Sequence, residues 1–291
     1  MAATMTTSAV LRQIRHMASL ATVTGGSALF AAESIIILDD KPFEDVLPEI
    51  IFPAMFISER GFETPSPGAR IIHRLNIDIK VIVDNGFDPY GTAGLIGAAR
   101  SDSTSSVGMG CIDIFDELDR TGGAFRKTGV ENGLGIVAFT PSGTGPEELQ
   151  SSQLGGKQLY GHQATLTVIH ANEAGYEPPA SFTAADATGG DASLSWTHQG
   201  NRFDHAGVMI RYAAGATPPA TSTDGTEVTG SPVTRGTLTL TDSPGAGQIS
   251  YSIFGAYDPD TQVTPGTYPA IGDADTYNAD ADRITATITV T

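Results

Sequence analysis

The sequence predicts two domains of different class. Residues 1–175 read as an α+β domain, an antiparallel sheet with helices on one face, and residues 176–291 as an all-β sandwich. Three observations lead there. A length of 291 residues exceeds what one core usually organises, about 100–200 residues. The segment "NEAGYEPP", residues 172–179, has the Gly and Pro content of an interdomain linker. Beyond it there is no lysine, the only strong bases are Arg202, Arg211, Arg235 and Arg283, and Ser, Thr, Gly and short β-branched runs dominate. Before it, helix-like and strand-like patterns alternate.

Taken in order, Val10, Ile14, Met17 and Ala21 recur every three or four residues, which predicts a short amphipathic helix ending near Gly25 and Gly26. "ESIIILDD" follows, then "VLPEIIFPAMFIS", residues 46–58. This run is almost wholly apolar yet carries Pro48 and Pro53. Proline gives no N–H to a ladder, so the run predicts an edge strand near a subunit contact, with Pro48, Ile50, Pro53 and Met55 as interface candidates. "RLNIDIKVIVDN" alternates, with Leu75, Ile77, Ile79, Val81 and Val83 against Asn76, Asp78, Lys80 and Asp84, which predicts a strand solvated on one face. "GCIDIFDELDRTGG" places Cys111, Ile112, Phe115 and Leu118 on one helical face, with Arg120 in the last turn before a Gly pair. "PEEL" reads as a helix start with Glu147 and Glu148 at its positive end, and "YGHQATLTVIHAN" as a closing strand.

In the second half, "ASFTAAD", "ASLSWTH", "GVMIRYAA", "GTLTLTD", "QISYSIFGAY" and "RITATITVT" are strand candidates bounded mostly by Gly, Pro, Asp or Asn. The last puts Ile284, Ala286, Ile288 and Val290 opposite Thr285, Thr287, Thr289 and Thr291, a strand with one buried side. "SLSWT" with Trp196, "GVMIRYAAG" with Tyr212 and "TLTDSPGAGQISYSIFGAYD" with Tyr251 together resemble a fibronectin type III (Ig-like) domain. That resemblance implies a sandwich core built on Trp196, Tyr212 and Tyr251. The segment "PDTQVTPGTYPAIGDADTYNADAD" departs from the family pattern before the last strand.

The order of elements in the first half, together with "PFEDVLPEIIFPAMFIS", resembles the tail terminator (tail completion) family of tailed phages. The resemblance implies a structural virion protein: a homohexameric ring that caps the tail tube and joins it to the neck, partnered by itself, the tail tube protein and a neck or head-completion protein. It would be assembled in the host cytoplasm and located in the tail and neck region of the virion. The alternative is a particle-attached module whose second domain recognises a cell-surface glycan, with Tyr257, Tyr268 and Tyr277 as aromatic candidates.

Composition and motifs narrow the chemistry. With 33 acidic against 16 basic residues the formal charge is −17, which speaks against a phosphate-gripping protein and suits a lumen that DNA slides past. Asp113, Asp116, Glu117 and Asp119 are candidates for such a lumen, or an ordinary solvated helix face. The single cysteine, Cys111, excludes an intrachain disulfide and reads as a small core residue. "SSQLGGKQ" lacks the first Gly and the terminal hydroxyl of a P-loop, and "GTAGLIGAA" lacks the dinucleotide fingerprint. The six histidines show no ligand spacing, and no nucleophile elbow occurs, so no catalytic residue, cofactor or enzyme activity is expected. Three D-x-D pairs, Asp258 with Asp260, Asp273 with Asp275 and Asp280 with Asp282, offer oxygen ligands for Ca²⁺ without the Gly and Glu of an EF-hand, and solvated acidic loops are the other reading. Arg12 and Arg15 before "HMASLATVTGGSALFAAES" resemble a signal peptide only faintly, the apolar part being diluted by Ser, Thr and Gly, and no run of about 18 apolar residues predicts a membrane span.

Overall fold

The structure, a computed structural model, describes residues 7–23, 26–38, 51–63, 72–84, 109–119, 125, 135–142, 147–149, 159–171, 178–198, 202–258, 267–274, 276–278 and 280–291. The chain divides into two compact units, residues 6–172 and, principally, Glu173–Val263 with Thr267–Thr291. The described residues are mainly β, with two short α-helices.

In the first unit, α1 (Thr7–Ser19) buries Val10, Leu11, Ile14, Met17 and Ala18, the apolar stripe that its spacing requires. It ends as Leu20 N–H bonds His16 and Met17 carbonyls, six residues before Gly25. Strands β1 (Ile35–Ile37), β2 (Ala54–Glu63), β3 (Ile72–Asp84), β4 (Gly135–Pro141), β5 (Glu147–Leu149) and β6 (Leu159–Ala171) form one sheet in the order β1-β2-β3-β6-β4, with β5 also on β6. The β1–β2 pair is parallel and the others are antiparallel. The spine is the uninterrupted register of β3 with β6, from Ile72 opposite Ala171 to Asp84 opposite Leu159. Helix α2 (Cys111–Asp119) lies on that spine, its Phe115 ring 5.0 Å from His162 of β6 and 5.3 Å from Phe139 of β4.

Four expectations are corrected here. β2 begins at Ala54, just after a cis peptide between Phe52 and Pro53, so Pro53 stands outside the ladder. Met55 is fully buried and paired on both sides, with Ile35 and with Val81, so it is a core residue and this part of β2 is no edge. The chain escapes proline's missing donor by starting the strand one residue later. Pro48 and Ile50 lie outside the described residues. Second, the polar face of β3 is polar only along part of its length. Thr165 donates to Asp78 at 3.0 Å and Thr167 to Asn76 at 3.2 Å, but Ile82 on the same face joins Ala54, Phe56 and Leu159 in a buried cluster covered by Ile36, Leu38, Phe52 and Leu149. Third, α2 buries Cys111, Asp113, Ile114, Phe115 and Leu118, and Ile112 is only half-buried. Fourth, Glu147 and Glu148 start strand β5, not a helix. Arg120 lies outside the described residues.

The second unit is all-β. One sheet runs β12 (Thr239–Asp242), β8 (Asp191–Thr197), β7 (Ser181–Thr188). The other runs β10 (Thr226–Glu227), β9 (His205–Ala214), β13 (Gly247–Tyr257), with β11 (Val233–Thr234) on β9 and both β14 (Thr276–Tyr277) and β15 (Ile284–Val290) on β13. Their inner faces meet in one core of Phe182, Ala192, Leu194 and Trp196 against Val208, Ile210, Ile249, Tyr251, Ile253 and Val290. The half-buried Tyr212 and fully buried Tyr251 have their ring centroids 6.0 Å apart at a 45° tilt, and the Tyr251 hydroxyl donates to Asp242 at 3.0 Å. β15 alternates as its sequence requires, Ile284, Ala286 and Ile288 half-buried and packed on that core with the threonines outside.

Candidate functional site

Of the residues singled out for calcium, the four described ones form no common metal site. Asp258 is buried beside Asp204, to whose carbonyl its N–H donates at 2.8 Å, while Asp273, Asp280 and Asp282 are exposed. Asp260 and Asp275 lie outside the described residues, and among the described residues no group of three or more His, Cys, Asp or Glu could hold a metal ion. Cys111 is fully buried, its Sγ 3.3 Å from the Tyr160 carbonyl, and burial pushes its pKa up to about 12. That suits packing and opposes nucleophilic chemistry. Asp113 does local work: its Oδ2 accepts from the Gly110 N–H at 3.4 Å, as a third-position acid does at a helix start, and it is buried rather than offered to a lumen. Asp116 is exposed; Glu117 and Asp119 are half-buried. "GTAGLIGAA" and "SSQLGGKQ" lie outside the described residues. No described helix is long and apolar enough to cross a membrane.

The three loop tyrosines do not make an exposed aromatic platform. Tyr257 is buried, and Tyr277, half-buried, pairs with Ala256 across β13 and β14. Tyr268 has the Arg235 guanidinium over its ring at 4.2 Å.

The polar chemistry of the second unit gathers instead where β8 gives way to β9, β11 to β12, and β13 to the segment after it. Both histidines of this half, His198 and His205, and two of its four arginines, Arg202 and Arg235, meet there. His205 starts β9 fully inside the protein, its ring 4.7 Å from His198 and 4.9 Å from Tyr257. Its Nε2 bonds the Gly207 carbonyl at 2.8 Å and its Nδ1 bonds the Arg235 guanidinium. Arg202 forks onto Asp204, Nε to Oδ1 at 2.9 Å and Nη2 to Oδ2 at 2.8 Å, and lies 5.3 Å from the Tyr257 centroid. Glycine is obligatory at 207, because a Cβ there would stand 1.9 Å from the Val233 carbonyl oxygen of paired β11. Burial first, then the positive charge of Arg235, holds His205 well below the ordinary imidazole range; burial lowers His198 as well.

Next to this cluster is a pocket of about 350 Å³, walled by Ala206, Thr234, Arg235, Gly236, Tyr268 and Ile271 among others. Sequence spacing missed the arrangement because its members run from 198 to 268. The one local signal was "HQGNRFDH", dense in polar and charged residues in a half that has few bases. No family model matches the chain, and no curated protein matches it.

Proposed function

We propose that the chain is a structural subunit of a tailed phage particle, a ring-forming tail terminator carrying a fibronectin type III-like sandwich. One observation carries the reading: within the order α1, β1, β2, β3, α2, β4, β5, β6, the helix α1, the long pair β2 and β3, the helix α2 and the closing strand β6 that returns against β3 follow the order the tail terminator resemblance implies, with β1, β4 and β5 in addition to it. The second unit supports the other resemblance, with Trp196 on its second strand, Tyr212 on its third and Tyr251 on long central β13, all in or against one core.

The subunit contact moves away from Met55. Among the described residues, β1 pairs only with the Met55–Ile57 part of β2, so Ser58 to Glu63 faces one strand, β3, and β4 forms the other rim of the sheet. Exposed Glu59 and Arg60 on the β2 rim guard it against indiscriminate pairing. Ile51, at 56% exposure, is the most exposed large apolar side chain among the described residues and lies beside this sheet's start. The ring is tested by native mass measurement and electron microscopy of the purified full chain. A closed hexamer is expected, with the protein at the head-proximal end of the tail in particles. A monomer at all concentrations, absent from purified particles, would refute it.

A further inference from the structure

We propose that the His205 cluster is an acid-operated latch, which holds the Arg235 and Tyr268 segments against β9 at neutral pH and releases them on acidification. Donor and acceptor chemistry sets the closed state. A guanidinium only donates, so the Arg235 contact has to be received by a lone pair on His205 Nδ1. A carbonyl only accepts, so the proton sits on Nε2 facing the Gly207 oxygen at 2.8 Å. Both nitrogens are thereby committed, and the ring is neutral. A second proton on Nδ1 would turn the acceptor into a donor that faces a donor, and would set an imidazolium against a guanidinium.

The surroundings offer that extra charge little relief. From the β8–β9 connection His198 and Arg202 face the ring, from the segment after β11 Arg235, and from β13 Tyr257. The nearby carboxylate of Asp204 is engaged by both forks of Arg202, and Asp258 is the next acid along, joined through its backbone to Asp204. His198 differs from His205 in a useful way. Its Nε2 donates to the Arg235 carbonyl at 2.7 Å, while its Nδ1 makes no hydrogen bond, so it can accept a proton without breaking a contact.

Arg235 is what the latch holds. Its N–H donates to the Ala206 carbonyl at 2.9 Å, its guanidinium covers Tyr268, and both side chains wall the pocket. Expelling the guanidinium uncovers Tyr268 and opens that wall. The sign follows from the depressed folded-state value. The closed form is fully favoured above the ordinary imidazole range near pH 6.5, and loses ground as pH falls from there to the folded-state value, by up to about tenfold per pH unit for one proton.

The test is NMR titration of the histidine rings of the full chain, with amide hydrogen exchange, between about pH 7.5 and about pH 4.5. The expected result is a His205 ring protonated on Nε2 that takes its second proton only well below the ordinary range. Together with that proton, the Arg235 amide should lose at least tenfold in protection after correction for intrinsic rates, and recover it on return to neutral pH. His205→Gln should remove the acid step, and Arg235→Met should bring His205 back toward ordinary titration. The proposal is overturned if His205 titrates normally or carries its proton on Nδ1, if Arg235 protection holds until Trp196 fluorescence reports unfolding of the whole unit, or if the step survives in His205→Gln. Should His205→Gln not fold, the wild-type titration and Arg235→Met decide between these outcomes.

Discussion

Removing one partner of the Arg202–Asp204 pair should be the most damaging polar substitution in the second unit. The side chains are only 7% and 3% exposed and joined by two charge-assisted hydrogen bonds. Asp204→Ala deletes the carboxylate that receives both bonds from a buried guanidinium, which costs about 3–5 kcal/mol, whereas an exposed pair is worth under about 1 kcal/mol. The readout is unusually clean. Trp196 is the chain's only tryptophan and sits in the core of this unit, so its fluorescence reports this unit's unfolding by urea. With a slope of about 1.5 kcal/mol per molar, the midpoint should fall by about 2–3 M. Arg202→Met combined with Asp204→Asn removes both charges and should recover about 2 kcal/mol relative to the sum of the single changes. A loss below about 1 kcal/mol in Asp204→Ala, or strict additivity in the double variant, would refute the argument that burial makes this pair matter.

Other outcomes follow from the same geometry. Gly207→Ala should lower the urea midpoint of the Trp196 transition by the equivalent of about 2–3 kcal/mol, because its Cβ meets the Val233 backbone and not a yielding side chain. Burial raises the Asp242 carboxyl, so the folded unit binds its proton more readily than the unfolded chain, and stability falls as pH rises from about 3.8 through the folded value. Asp242→Asn should flatten that slope, read as urea midpoints against pH, and keep an acceptor for the Tyr251 hydroxyl 3.0 Å away. Cys111 should resist thiol reagents in the native chain by at least about 10³-fold against the unfolded one, a difference that denaturant should erase.

What the sequence made legible was alternation. β3 and β15 could be read because each has one face toward a core, and period two survives in the residue order. Legibility failed where a neighbour overrides the local pattern. Ile82 sits among polar positions of β3, yet Phe56 and Leu159 from adjoining strands make its face apolar there. Ile114 is buried in place of Ile112 in the nine-residue α2, whose Phe115 meets Phe139 edge-on and His162 at a tilt. Glu147 and Glu148 were drawn into a ladder by a vacancy on β6 beyond the end of β4, which no single-segment propensity reports. The histidine cluster was hidden for a related reason: His198, just past β8, packs against His205 at the start of β9, and Arg235 arrives from the turn after β11.

The proline-bearing run at residues 46–58 supplies the sharpest test of assembly. If subunits meet beside the start of β2, the contact has to use what that region shows to solvent. Met55 shows nothing, being paired to Ile35 and Val81, so Met55→Asp should unfold the first unit whatever the oligomeric state. Ile51 is different. Its carbonyl is tied by the Ser34 hydroxyl at 2.6 Å, which fixes the backbone, and its side chain points out. Ile51→Asp should therefore leave the folded subunit within about 0.5 kcal/mol of its starting stability, while converting a ring to monomers in a native mass measurement. A ring that assembles unchanged with aspartate at 51 would place the subunit contact elsewhere, at the β2 overhang or at β4. Substituting Arg60, whose guanidinium reaches Asp78 at 3.5 Å across that overhang, would then separate those two rims.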